Sequence, residues 1–156
     1  MKKNWKTLLI CIAIPLGVGV LSSLITGGSM ADYGNLNRPP LSPPGWLFPV
    51  VWTILYTLMG WASYRIVTAD VPQQQKRTAL LFYGAQLVLN FLWPIVFFSL
   101  EMRLAAFFLI LGLWLLIFLT IRQFSQIDEL AGDLLLPYLL WVTFAAYLNL
   151  GAYLLN

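Results

Sequence analysis

The sequence predicts an all-α integral membrane protein built as a bundle of five transmembrane helices. Two observations carry that expectation. Of 156 residues, 60% are hydrophobic and 10% charged, and mean hydropathy is +0.81, whereas a soluble domain carries about 25% charged residues. The charges also cluster, leaving five uncharged stretches close to the roughly 20 apolar residues that cross a bilayer core. These stretches place spans at 7–28, 46–64, 78–100, 104–121 and 134–155, with a proline-rich loop at 29–45, all in one domain covering 1–156.

The first span follows Lys2, Lys3 and Lys6 and ends near Ser29-Met30-Ala31, so it also fits a secretory signal peptide with a small-x-small cleavage site. Its apolar run exceeds the about 7 to 15 residues of a signal core. Gly17, Gly19, Ser22 and Ser23 are small residues of the kind that let membrane helices approach, which favours a span. Cys11 within it reads as a small apolar packing residue.

The loop and second span form the run PPLSPPGWLFPVVWTILY, from Pro39 to Tyr56. Pro39, Pro40, Pro43 and Pro44 fix φ and stiffen the approach to the helix. Trp46, Trp52 and Tyr56 then supply broad rings at the mouth and wall of a pocket, so the stretch suits a flat ligand.

The third span carries Gln86 and Asn90 at i, i+4, with Trp93 and Phe97 continuing the same face. Amides inside a bilayer either bond neighbouring helices or orient a ligand in an apolar cavity. Both readings stand for Asn90, and the interhelical one is favoured for Gln86. The fourth span contributes Trp114. The fifth repeats Tyr138, Trp141, Ala145, Asn149 and Ala152 on one face, where a small Ala145 beside Trp141 leaves room that a bulky residue would fill.

Orientation follows from the cations, because positively charged flanks stay in the cytoplasm. With the N-terminus inside, Lys2, Lys3, Lys6, Arg65, Lys76, Arg77 and Arg122 face the cytoplasm, and only Arg38 and Arg103 face outward with the C-terminus. The net charge of +3 is thus topological and not a nucleic-acid signal. With no His and one Cys, the usual ligands of zinc, copper and haem iron are missing, and no cofactor is expected. Asp32, Asp70, Glu101, Asp128, Glu129 and Asp133 fall in loops or at span ends, so an ion-coupled relay has no intramembrane carboxylate.

Three runs, PPGWLFPVVWTILYTLMG, QLVLNFLWPIVFF and PYLLWVTFAAYLN, resemble in order and spacing the tryptophan-rich sensory protein and translocator protein family, also called peripheral benzodiazepine receptors. The resemblance implies a five-helix bundle, commonly a homodimer, with a ligand pocket under the first long loop. It implies a lid of Tyr33, Pro43 and Pro44, a turn lined by Phe48 and Val51, and walls of Trp52, Asn90, Trp93, Trp141, Ala145 and Leu148, to which the aromatic rim adds Tyr56. Leu41 stands where the family has a tryptophan, Pro49-Val50 where Gly-Pro is common, and Leu104 where some relatives place a pocket tryptophan. No basic residue follows Tyr147 or Tyr153, so the short sterol-recognition pattern is incomplete.

The same resemblance implies binding of porphyrins such as protoporphyrin IX and of benzodiazepine-site ligands and, in some members, light-dependent oxidative degradation of the porphyrin. Under that reading Trp52 and Trp141 act as the catalytic pair, donating electrons to an excited porphyrin. Arg38 is then either a partner for a porphyrin carboxylate or a solvated loop cation. A tetrapyrrole transporter and a ligand-sensing regulatory protein are the alternatives. A bacterial plasma membrane fits the charge pattern, and the expected partners are the lipid bilayer, the small-molecule ligand and a second copy of the chain, with no nucleic acid.

Overall fold

The computed structural model describes residues 4–30 and 36–156. Among them the elements are α1 (Trp5–Met30), α2 (Leu47–Val67), α3 (Gln73–Pro94) continued by a π-helical turn (Ile95–Ser99), α4 (Arg103–Ile127), the short α5 (Glu129–Asp133) and α6 (Leu136–Leu155). Five helices are long and apolar enough to cross a membrane, with α5 and α6 together making the fifth. The fourth runs past 121 to Ile127 before it stops.

Each helix starts and ends for a local reason. Asn4 Oδ1 accepts the Lys6 and Thr7 backbone N–H groups at 3.1 and 3.2 Å, capping α1, and its own N–H donates to Tyr64 Oη at 3.0 Å, tying that end to the end of α2. Pro49 sits in the first turn of α2, where its missing N–H would have had no intrahelical partner. Thr53 and Thr57 return their hydroxyls to the carbonyls four residues back at 2.7 and 2.8 Å, which satisfies them without water.

Pro94 closes α3 because it lacks an N–H and its ring crowds the preceding turn. The ladder widens into the π turn, and a carbonyl near the break, that of Phe91, accepts the Ser22 hydroxyl from α1 at 3.2 Å. Glu101 then adopts φ 54°, a left-handed conformation that reverses the chain into α4. At the opposite end Asp128 accepts the Leu130 N–H at 3.1 Å to cap α5 and takes the Arg65 guanidinium at 2.5 Å.

Packing is extensive between α1 and α2, α3 and α4, and α4 and α6. A side chain added at Gly60 would strike the backbone of Ile12, and one at Gly19 would strike the Tyr56 ring, so α1 lies as close to α2 as glycine permits. The core comprises Met59, Ile66, Ile110, Leu113, Ile117, Phe124, Tyr138 and Val142, all fully buried. Large apolar side chains such as Leu9, Leu24 and Leu140 point outward, the inverse of a soluble surface and the surface a lipid environment requires.

Candidate ligand cavity

At the end of the bundle that carries the proline-rich loop, a cavity of about 400 Å³ opens between α1, α2, α3 with its π turn, and α6. That volume lies in the about 300–1,000 Å³ range of small-molecule sites. Phe48, Trp52 and Tyr56, spaced i, i+4, i+8, project from α2, while Asn90, Trp93 and Phe97 project from α3 and the π turn. Trp141, Ala145 and Leu148 form the α6 wall, and small or hydroxylated α1 residues, among them Gly19, Ser22 and Thr26, form the side opposite.

Rings dominate the wall. Trp52 stacks on Tyr56 with centroids 5.4 Å apart and meets Tyr138 edge-on at 6.1 Å. Phe48 meets Trp141 edge-on at 5.8 Å, and Trp93 stacks on Phe97 at 5.2 Å. These separations fall in the about 4.5–7 Å range over which aromatic pairs attract beyond simple area burial.

One polar chain holds the rings in place. Tyr56 Oη donates to Asn90 Oδ1, Asn90 Nδ2 donates to Tyr138 Oη, and Tyr138 Oη donates to Gln86 Oε1, each at 2.7 Å. Asn90 thereby clamps the two tyrosines that flank Trp52, joining α2, α3 and α6. It bonds across helices, as one sequence reading expects, and it also lines the cavity. Gln86 bonds α6 but does not reach the cavity.

A second chain runs from Trp93 Nε1 to Asn149 Oδ1 at 2.9 Å and from Asn149 Nδ2 to the Arg103 carbonyl at 2.8 Å. Trp114 Nε1 likewise has a partner, Thr143 Oγ1, at 2.8 Å. The Trp141 N–H differs: it is buried and bonds to nothing among the described residues. A buried donor left unpaired costs about 1–3 kcal/mol, a cost that a ligand acceptor beside Trp141 would offset.

The loop roofs the cavity through Leu36, Arg38, Pro39 and Ser42 and is tied down to α6. Tyr147 Oη donates to the Pro40 carbonyl at 2.6 Å. Asn156 Nδ2 donates to the Asn37 carbonyl at 2.9 Å, and the Asn37 N–H returns to Asn156 Oδ1 at 3.3 Å. Gly151 leaves space that the Pro39 ring occupies. Leu41, at φ 70° and 84% exposed, points away from the roof.

Of the residues singled out in the sequence, Phe48, Trp52, Tyr56, Asn90, Trp93, Trp141, Ala145 and Leu148 meet around this cavity. Pro43, Pro44 and Val51 do not line it. The Pro44 carbonyl accepts the Leu47 N–H at 3.1 Å to launch α2, Pro43 is buried but not on the lining, and Val51 packs against the main core. The first proline pair, through Pro39, does the roofing expected of the second. Trp46 is 68% exposed and stands outside the cavity. Tyr33 lies outside the described residues. No α4 residue reaches the cavity, so Leu104 has no part in its wall.

The α1 contribution was read from the sequence only as helix packing. Its signal was the recurrence of Gly19, Ser22, Ser23 and Thr26 on one face. Arg38 is on the cavity lining, and among the described residues no cluster of His, Cys, Asp and Glu is able to hold a metal ion.

A sequence model described as the TspO/MBR family matches residues 11–154. The chain belongs to the TspO/MBR family. Among its relatives, the tryptophan-rich protein TspO of Chlorobaculum tepidum is 38% identical over 157 residues, covering 100% of this chain and 99% of the relative. The tryptophan-rich sensory protein of Cereibacter sphaeroides is 43% identical over 124 residues, covering 80% and 76%. The translocator protein of Homo sapiens is 34% identical over 140 residues, covering 88% and 82%. As a TspO/MBR protein with five spanning helices, it is an integral membrane protein with a receptor-like role.

Proposed function

We propose that this protein binds porphyrins such as protoporphyrin IX, together with benzodiazepine-site ligands, in the aromatic cavity under the loop. The observation that supports this reading best is the ring array around Trp52, with Trp141 on the facing helix. Flat π-systems match such walls, and each stacked pair contributes about 0.5–1.5 kcal/mol beyond area burial. Arg38 is the cation that suits a porphyrin carboxylate, and the unpaired Trp141 N–H suits a ring nitrogen or carbonyl. Titration of purified protein with protoporphyrin IX, followed by tryptophan fluorescence, tests the reading: saturable quenching supports it, and its absence removes it. Arg38→Gln weakens the dicarboxylic porphyrin several-fold more than a neutral ligand of the same site.

Two indoles facing one cavity favour a further step, light-dependent oxidation of the bound porphyrin by dioxygen. Trp52 or Trp141 gives one electron to the excited porphyrin, and the porphyrin anion passes it to dioxygen. The indole radical cation takes an electron back from the porphyrin, and the porphyrin cation and superoxide combine, so that dioxygen is the net oxidant and the indole is regenerated. Fading of porphyrin absorbance under light, compared between wild type and Trp52→Phe or Trp141→Phe at equal occupancy, checks it. Unchanged rates would remove this step and leave binding intact. Facilitated transport or ligand sensing would remain, and dark flux of protoporphyrin into sealed liposomes separates those two. The proposal includes a homodimer in a bacterial plasma membrane with the N-terminus cytoplasmic. The orientation is supported by Lys6, Arg65, Lys76, Arg77 and Arg122 at the end away from the loop, whereas the loop end has only Arg38 and Arg103.

A further inference from the structure

A second concavity, a groove of about 710 Å³, lies outside the aromatic cavity where the start of α4 meets the last turn of α6. It is at the loop-side end of the bundle, at the level where a spanning helix leaves hydrocarbon for water. Its walls are mixed. Leu104, Tyr153 and Leu154 give an apolar flank that is 41%, 41% and 69% exposed, while Glu101, Arg103 and Asn156 give a polar head.

The two charges are two positions apart but do not pair with each other: the one ion pair among the described residues joins Arg65 to Asp128 at the opposite end. The Arg103 guanidinium is held over the Phe97 ring at 5.4 Å, which fixes its plane. Its Nε is buried with no partner among the described residues. Glu101, exposed on a left-handed turn, carries a carboxylate at the same rim.

We infer that this groove seats a phospholipid with an aminoethyl phosphate headgroup, Arg103 taking the phosphate and Glu101 the ammonium. An arginine beside an apolar flank matches a phosphate above its acyl chains. Glu101 repels a headgroup that is only anionic and attracts one that ends in a cation. A primary ammonium also donates charge-assisted hydrogen bonds to a carboxylate, which a quaternary one is unable to do. The seat adjoins the ligand cavity, since Asn149 bonds both the Arg103 carbonyl and Trp93, and Asn156 holds the loop.

The test is lipid retention, read by native mass spectrometry of detergent-purified full-length protein given equal amounts of phosphatidylethanolamine, phosphatidylcholine and phosphatidylglycerol. Wild type is expected to keep phosphatidylethanolamine about threefold over phosphatidylglycerol, the scale of an exposed ion pair, with phosphatidylcholine between. Glu101→Gln abolishes that preference and Glu101→Lys inverts it, while Arg77→Gln, at the other end of the bundle, leaves it unchanged. Arg103→Gln lowers retention of all three lipids, and Arg103→Lys restores part of it, which separates loss of the phosphate contact from loss of fold. Equal retention of the three lipids by wild type, or an unchanged ratio in Glu101→Gln, overturns the proposal.

Discussion

At the residue scale, the side chains around the cavity divide by what their polar atoms touch. Asn90 uses both ends of its amide at 2.7 Å, so Asn90→Leu leaves two buried tyrosine hydroxyls short of a partner. We expect a loss of about 1–2 kcal/mol in thermal unfolding in detergent, together with weaker ligand binding as Trp52 loses its flanking rings. Tyr83 contrasts with it: its buried hydroxyl faces Ser63 without a well-formed hydrogen bond, so Tyr83→Phe should leave stability unchanged or raise it slightly. Tyr138→Phe, which breaks a link in the chain, should cost about 1 kcal/mol. Equal melting temperatures for the two Phe variants would show that the network is not what holds these helices. Trp52, Asn90, Trp93 and Trp141 were legible in the sequence because an indole or amide within an apolar span requires a reason. Val51 adjoins the cavity face in the chain, yet it packs against the core without reaching the cavity lining.

At the element scale, α1 is held to α2 where side chains are absent. Gly60→Leu would drive α1 off Ile12, and Gly19→Leu would enter the space of the Tyr56 ring. We expect Gly60→Leu to abolish recovery of folded protein. Gly19→Leu should fold with a lower melting temperature and lose most ligand affinity, because the displaced ring is a cavity wall. Gly17→Ala, with nothing within 4 Å, should match wild type in size-exclusion profile and in binding. The five spans were legible because charged residues separate each from the next, but two features of the elements were not. The π turn after Pro94 arises from a missing N–H, which a hydropathy pattern does not register. The roofing role of Pro39 depends on contacts far along the chain, Tyr147 to Pro40 and Asn156 to Asn37, so no local reading of the two proline pairs would have told which one roofs the cavity.

At the scale of the whole molecule, the two ends of the bundle are built differently. The end away from the loop is clasped by the half-buried Arg65–Asp128 pair, by the Asp128 cap of α5 and by Asn4 on Tyr64. Arg65→Ala should lower unfolding stability by about 1–3 kcal/mol because it strands Asp128, without changing ligand affinity, as read by thermal unfolding beside a binding titration. The loop end keeps its volume open between rings and places its lid on α6, so the proposed ligand site belongs to that end. The direct measurement is therefore saturable quenching of tryptophan fluorescence by protoporphyrin IX in wild type, Ala145→Trp and Leu140→Trp. Ala145 faces the cavity, and Leu140 faces outward from the same helix at 72% exposure. The expected result is that Ala145→Trp, which fills the cavity, abolishes saturation while Leu140→Trp retains it with the wild-type midpoint. Wild-type saturation in Ala145→Trp would contradict the assignment of the ligand to this cavity.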